Sequence, residues 1–266
     1  MRKRIVAFVA LLGLAMGLVA SVPSPALALP NNHSGYYGYQ QTTALDQAVS
    51  YFTIPTSFDQ SGGNSGWLRN VGLNSNYSML FQAGVQVQNS AGGIQYLHPI
   101  IQTYQGGGGP NPCPYYREDT DKFAYVNDNL FAQVMVLDNT HFDAIVTDTT
   151  QGWKVHIGSQ YCAYAYHLYG INAEFFDERF ENLSLGTCWT LTSIMSDDFL
   201  SPEAHYQGEG GNVYHFLTAM QPQTETTYDD AFDGPGGTDV VEYPGALGHN
   251  ANFSENFVWT GDRDPC

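Results

Sequence analysis

Two stretches of the chain carry residues whose types and spacing fit chemistry. In "MLFQAGVQV" (79–87) the apolar Met79, Phe81, Ala83, Val85 and Val87 alternate with Leu80, Gln82, Gly84 and Gln86. Adjacent residues of a strand point to opposite faces, so this is an amphipathic strand with an amide on its more polar side. In "INAEFFDERFEN" (171–182) alternation puts Glu174, Phe176, Glu178 and Phe180 on one face, and Phe175, Asp177, Arg179 and Glu181 on the other. A carboxylate beside aromatic residues in a sheet is costly to bury unless partnered or protonated. Taken singly, the segments read as a solvent-facing amide and an acidic edge strand whose charges deter aggregation. Together they offer more. Glu174 could take a proton from a water and return it to a leaving amine. The Gln82 N–H could donate to the oxyanion of a tetrahedral intermediate. Neither role needs a metal, a cysteine or a cofactor.

Other familiar sites are missing from the sequence. There is no G-x-S-x-G elbow, since "GGNSGW" (62–67) has the wrong spacing. There is no H-E-x-x-H pair, and the eight histidines are scattered. "DTD" (119–121) lacks the following Gly and Glu of a calcium loop, and "QGGGG" (105–109) lacks the Lys and helix of a phosphate loop. Cys113, Cys162, Cys188 and Cys266 contain no C-x-x-C pair, which argues against zinc. In an exported chain they predict two disulfides, and of three connectivities Cys162–Cys188 with Cys113–Cys266 is preferred.

The elements that must hold these residues are strands. "AVSYFTIPT" (48–56), "MLFQAGVQV", "YLHPIIQTY" (96–104), "NLFAQVMVLD" (129–138), "HFDAIVTDTTQGWKVHI" (141–157), "INAEFFDERF" (171–180) and "TCWTLTSIM" (187–195) follow one another with turn signals between them. A hairpin is expected around Asp148 to Gly152. The pattern is all-β and antiparallel, and two packed sheets are the expected closure. Residues 224–266 are rich in Gly, Asp and Asn and predict a loop-rich extension, tied to the same domain through Cys266.

Ahead of the strands, "MRKR" and an apolar run end at Ala26-Leu27-Ala28, just after Pro23 and Pro25. This predicts a cleaved signal peptide over 1–28, an exported protein, and a single β domain over 29–223. The whole sequence has a net charge of −17, and without Arg2, Lys3 and Arg4 there remain 6 basic residues against 26 acidic, or −20. Such a charge disfavours nucleic acid and anionic membrane partners, and a monomer is expected. Crowded carboxylates also raise one another's folded-state pKa, so the fold would suit an acid habitat; simple solubility explains the charge equally well.

Five segments in order resemble the eqolisins, or glutamic peptidases. "NNHSGYYGY" (31–39) resembles their N-terminal Asn-Trp-Ala-Gly-Tyr segment, and "AVSYFTIPT" a strand ending Trp-Thr-Val-Pro. "MLFQAGV" is similar to the strand carrying the catalytic Gln, "DTTQGW" (148–153) to an Asp-x-Thr-x-Gly-Trp hairpin, and "NAEFFDER" (172–179) to the strand carrying the catalytic Glu. The resemblance implies a concanavalin A-like β-sandwich and a Gln82–Glu174 dyad without cofactor. It also implies a polypeptide substrate lying along Trp67, Asn74, Gln102 and Tyr104. There are departures. Asn70 and Asn74 of "NVGLNSN" (70–76) stand at the Trp and Asp positions of a Trp-Val-Gly-Ile-Asp-Gly motif. Gln102 stands where a Glu is usual, and His33 replaces a Trp.

The expected function is therefore a secreted acid endopeptidase with a Glu base and a Gln oxyanion donor. One alternative is a non-catalytic sandwich that binds glycans or peptides in the same cleft. The other is a glycoside hydrolase using two carboxylates such as Glu174 and Glu178. Position 82 disfavours the glycosidase, which would want a carboxylate there, and Asp177 falls on the wrong face of its strand.

Overall fold

Alternating apolar residues leave each strand one oily side, and the chain buries those sides between two antiparallel sheets. The computed structural model describes residues 33–39, 43–54, 65–89, 95–106, 110–125, 127–179, 181–182, 187–188, 198–210, 213–225, 227–229 and 239–257. The chain opens with β1 (His33–Tyr39), β2 (Leu45–Thr53), β3 (Ser65–Asn74), β4 (Met79–Asn89) and β5 (Gln95–Gln105). Next come β6 (Tyr115–Glu118), β7 (Asn129–Asp138), β8 (His141–Asp148), β9 (Trp153–His156) and β10 (Gln160–Tyr161). They are followed by β11 (Asn172–Arg179), β12 (Glu181–Asn182), β13 (Thr187–Cys188), β14 (Asp198–Tyr206) and β15 (His215–Phe216). The last four are β16 (Pro222–Glu225), β17 (Thr227–Asp229), β18 (Asp239–Pro244) and β19 (Phe253–Phe257).

The first sheet has the order β16-β1-β11-β3-β4-β5-β6, and the second runs β10-β8-β7-β2-β14-β19-β18-β17. Between them lie Val71, Leu73, Phe81, Ala83, Val85 and Phe175 from the first sheet. Phe52, Leu130, Val134, Phe142 and Val146 meet them from the second. Phe81 and Phe142 touch edge to face across the gap, with ring centroids 5.2 Å apart. This is the β-sandwich of the sequence expectation. The signal-peptide segment lies outside the described residues, among which no helix is long and apolar enough to cross a membrane.

One buried ion pair fixes the register that the site depends on. Arg69 of β3 and Asp177 of β11 are directly opposite and point inward. Arg69 donates Nε–H to Asp177 Oδ1 at 2.8 Å and Nη2–H to Oδ2 at 2.5 Å. A third donor reaches the Thr53 carbonyl at 3.2 Å, and the guanidinium lies 5.2 Å from the Phe199 ring. A bidentate pair of this kind has one good geometry. A two-residue slip of β11 against β3 would separate the pair and leave two charges buried without a partner.

Two expectations need correcting. The disulfide is Cys113–Cys162, with Cα atoms 5.6 Å apart, so neither Cys162–Cys188 nor Cys113–Cys266 forms. The reason is topological: Cys113 precedes edge strand β6 and Cys162 follows edge strand β10, and the two sheet edges lie together. The Cys188 side chain and Cys266 lie outside the described residues. The chain beyond Thr224 also carries more strand than its composition suggests. β18 and β19 continue the second sheet, and Phe253 stacks on Phe199 at 4.9 Å and meets Tyr36 at 4.8 Å.

Candidate active site

The site is built on the outer face of the first sheet. Ala173 and Phe175 of β11 belong to the core, so Glu174 between them points away from it; Phe81 and Ala83 do the same for Gln82 on β4. Strand pairing then sets one row straight across the sheet. It reads Gln223, Tyr37, Glu174, Gly72, Gln82, Gln102, Tyr116, on β16, β1, β11, β3, β4, β5 and β6. Glu174 and Gln82 are thus separated by a single strand, about 10 Å between backbones at a strand spacing of about 4.8 Å. The residue between them is a glycine. No side chain stands in the gap, and two long polar side chains can lean toward one another over Gly72. A Cβ there would lie 3.1 Å from Leu80 Cδ1 and 3.6 Å from Gln82 Cβ, inside the space the pair shares.

The surroundings of Glu174 are polar and buried. Asn74 donates from Nδ2 to Glu174 Oε1 at 2.6 Å. Glu174 is 0% and Gln82 1% exposed. A hydrogen bond donated to a carboxylate favours its charged form and fixes its rotation. Desolvation makes each dipole aimed at a developing charge count for more than it would in water. On the other flank of Glu174, Tyr37 donates its hydroxyl to Gln223 Oε1. Such a row can hold a water against a carboxylate and an oxyanion against an amide. Among the described residues no cluster of His, Cys, Asp or Glu suits a metal ion.

The family model described as the Peptidase A4 family matches residues 31–230. The chain belongs to the Peptidase A4, or eqolisin, family. As a member it is a peptide-bond hydrolase. Solved eqolisin structures share its fold. Scytalido-glutamic peptidase with a transition-state analogue inhibitor superposes with a TM-score of 0.63 at 17% identity, covering 85% of this chain and 98% of that one. SCP-B, an eqolisin-family peptidase in complex with the tripeptide Ala-Ile-His, gives 0.58 at 17% identity, with the same two coverages. Aspergilloglutamic peptidase from Aspergillus niger gives 0.50 at 16% identity over 73% of this chain and 98% of that one. No curated protein matches the chain.

Within this eqolisin sandwich the residues singled out in the sequence fall as follows. Asn74 contacts Glu174 itself. Gln102 is half-buried and directly opposite Gln82, and Tyr104, 55% exposed, lies on the same face opposite Leu80. Trp67 belongs to β3, but its side chain lies outside the described residues, as does that of Glu178. Asp177 turns inward to Arg69. Sequence reading missed Gly72, Tyr37 and Gln223. Gly72 would have emerged had "GWLRNVGLN" been recognised as a strand between those of Gln82 and Glu174. Its Asn70, Gly72 and Asn74 alternate with Val71 and Leu73 as a strand should, but Arg69 puts a charge on the inward side and hides the pattern.

Proposed function

We propose that this eqolisin is an exported acid endopeptidase in which Glu174 is the general base and then acid, and Gln82 stabilises the oxyanion. The reading is carried by one observation: the amide and the carboxylate share a face and flank Gly72, with Asn74 holding one carboxylate oxygen. In the first step Glu174 takes a proton from a water as the water oxygen attacks the scissile carbonyl carbon. The carbonyl oxygen becomes an oxyanion and accepts a hydrogen bond from the Gln82 amide. Glu174 then passes its proton to the leaving nitrogen, the C–N bond breaks, and the carboxylate is restored. The base must be ionised, and an ordinary Glu titrates near 4.3, so the chemistry can run in acid. The substrate class is polypeptide. Export rests on the signal-peptide reading of residues 1–28.

The test is hydrolysis of a denatured protein between pH 2 and 7 by wild type, Glu174→Gln and Gln82→Ala. Glu174→Gln keeps shape and removes the base, so turnover should vanish while the thermal midpoint stays near wild type. Gln82→Ala should lose about 10²–10³-fold in kcat. Wild-type rates from Glu174→Gln would make the buried row a structural network, and the peptide- or glycan-binding module would then be the better account.

A further inference from the structure

We propose that Asn70 is a substrate-binding residue: its side-chain amide grips the main chain of one extended substrate residue close to the scissile bond. The proposal rests on the dyad assignment above, since it places substrate on the same face.

Asn70 is 0% exposed, and neither its Nδ2 nor its Oδ1 has a hydrogen-bond partner. A single unmade acceptor in a buried side chain is tolerable, because carbonyl and carboxylate oxygens have lone pairs to spare. A buried donor left unmade is rarer and calls for an explanation. Asn70 is the one described side chain with two such atoms. Nothing in the fold uses them, so a partner from outside is the natural account.

Its place fits a substrate. Asn70 lies on β3 opposite Phe176 of β11 and Gly84 of β4, one row from Glu174, Gly72 and Gln82 on the same outer face. Its Oδ1 sits 2.6 Å from where a Cβ on Gly84 would be, so the amide leans across Gly84 into the room that glycine leaves. Adjacent rows on one face are two strand residues apart, about 6.7 Å. That is about two residues of an extended peptide. Glu174 is also 0% exposed, so whatever admits substrate to the base also opens the neighbouring row.

The chemistry names the ligand. A residue in extended conformation presents its N–H and C=O along the same edge, as in the hydrogen-bonded pairs of an antiparallel sheet. A side-chain amide offers one acceptor oxygen and a donor NH₂ side by side. One Asn can therefore close both bonds to one substrate residue. This recognition ignores the substrate side chain and demands an extended, unmethylated main chain.

The experiment uses a peptide that the wild type cleaves and a series of analogues N-methylated one residue at a time. For wild type, one N-methyl position outside the scissile bond should raise KM about tenfold, the scale of a lost hydrogen bond. Asn70→Leu, with Asn70→Ala as a second variant, should raise KM for the parent peptide by about tenfold or more with kcat within about threefold. Both variants should lose the sensitivity to that N-methyl group. Asn70→Leu should keep or raise the thermal midpoint, because the free protein loses no hydrogen bond. An unchanged parent KM in both variants, or a lowered midpoint without a KM effect, overturns the proposal and makes Asn70 a structural residue. Glu174→Gln separates the two ideas. If it is inert while the Asn70 variants behave as wild type, this inference alone falls; if it hydrolyses normally, both fall.

Discussion

At Asn74 a neutral amide meets the candidate base, where the motif this chain resembles carries an acid. The 2.6 Å bond from Nδ2 to Glu174 Oε1 supplies a proton that titration cannot remove. In Asn74→Ala the buried carboxylate loses that donor and its charged form becomes harder to keep. The acid limb of kcat/KM should then move to higher pH, and the rate should fall at every pH. Asn74→Asp would put two carboxyls at hydrogen-bond distance, sharing one proton and titrating as a pair. That variant should work only while the shared proton is present, so its activity should fall earlier on the alkaline side than the wild type's. Superimposable pH–rate profiles for the three proteins would mean that Asn74 does not tune the base. Of this pairing the sequence showed only that Asn74 departs from the motif. That the departure touches Glu174 follows from the diagonal between β3 and β11, which no single strand's pattern reveals.

The β8–β9 hairpin was legible because its signals are local. Asp148 and Gly152 bracket a turn that needs a side-chain acceptor at one end and a positive φ at the other, and Gly152 has φ +76°. Asp148 Oδ1 accepts the N–H groups of Thr150 and Gln151, both at 2.8 Å. β3 and β14 were harder to see, because their inward residues include Arg69 and their runs are broken by Asn, Gly and Pro; tertiary pairing overrides composition there. The hairpin also carries a titration. Burial pushes the Asp148 carboxyl up to about 6, its two backbone hydrogen bonds oppose that, and neighbouring Asp128 adds to it. Asp148 Oδ2 has no partner, as expected of an oxygen facing another carboxylate unless a proton joins them. Asp128 is held in turn by the Tyr125 N–H at 2.8 Å and Gln151 Nε2 at 3.0 Å. A carboxyl raised above its unfolded value binds its proton more tightly in the folded state. Its contribution is complete below about 4 and is lost as pH rises through about 6. Asp148→Asn keeps the acceptor for the turn and supplies a permanent donor toward Asp128. Its thermal midpoint should exceed wild type's at pH 7 and depend less on pH between 4 and 6. A variant less stable than wild type at pH 7 would refute the shared proton.

Over the whole molecule, burial raises Asp46 and Glu203 as well as Asp148, while Asp138, held at about 2 by the Thr140 N–H and hydroxyl and by His141, works the other way. Each raised carboxyl owes its shift first to burial, so each contributes stability that is lost as pH rises. Repulsion among the remaining carboxylates at neutral pH must be resisted by something that does not titrate, and the Cys113–Cys162 disulfide does this at one side of the sandwich. It joins the β5–β6 connection of the first sheet to the chain after β10 of the second, across a sequence separation of 49. Those are the two sheet edges, where opening would begin with fewest strands to separate. A loop of that length gives a chain-entropy contribution of about 4 kcal/mol, and measured losses of native disulfides run at about 2–5 kcal/mol. The Cys113→Ser, Cys162→Ser double variant should therefore unfold at lower denaturant and lower temperature by an amount in that range. The candidate dyad sits on β4 and β11, which carry neither cysteine, and β5 stands between β4 and the connection that holds Cys113, so kcat on a peptide should stay within a few-fold of wild type well below the unfolding temperature. Thiol-alkylating reagents should leave the wild-type enzyme working, because the proposed chemistry uses no thiol. A double variant as stable as wild type would show that the sheets hold their edges unaided; one that folds well but has lost kcat would show that the staple also shapes the row through β5, where Gln102 faces Gln82.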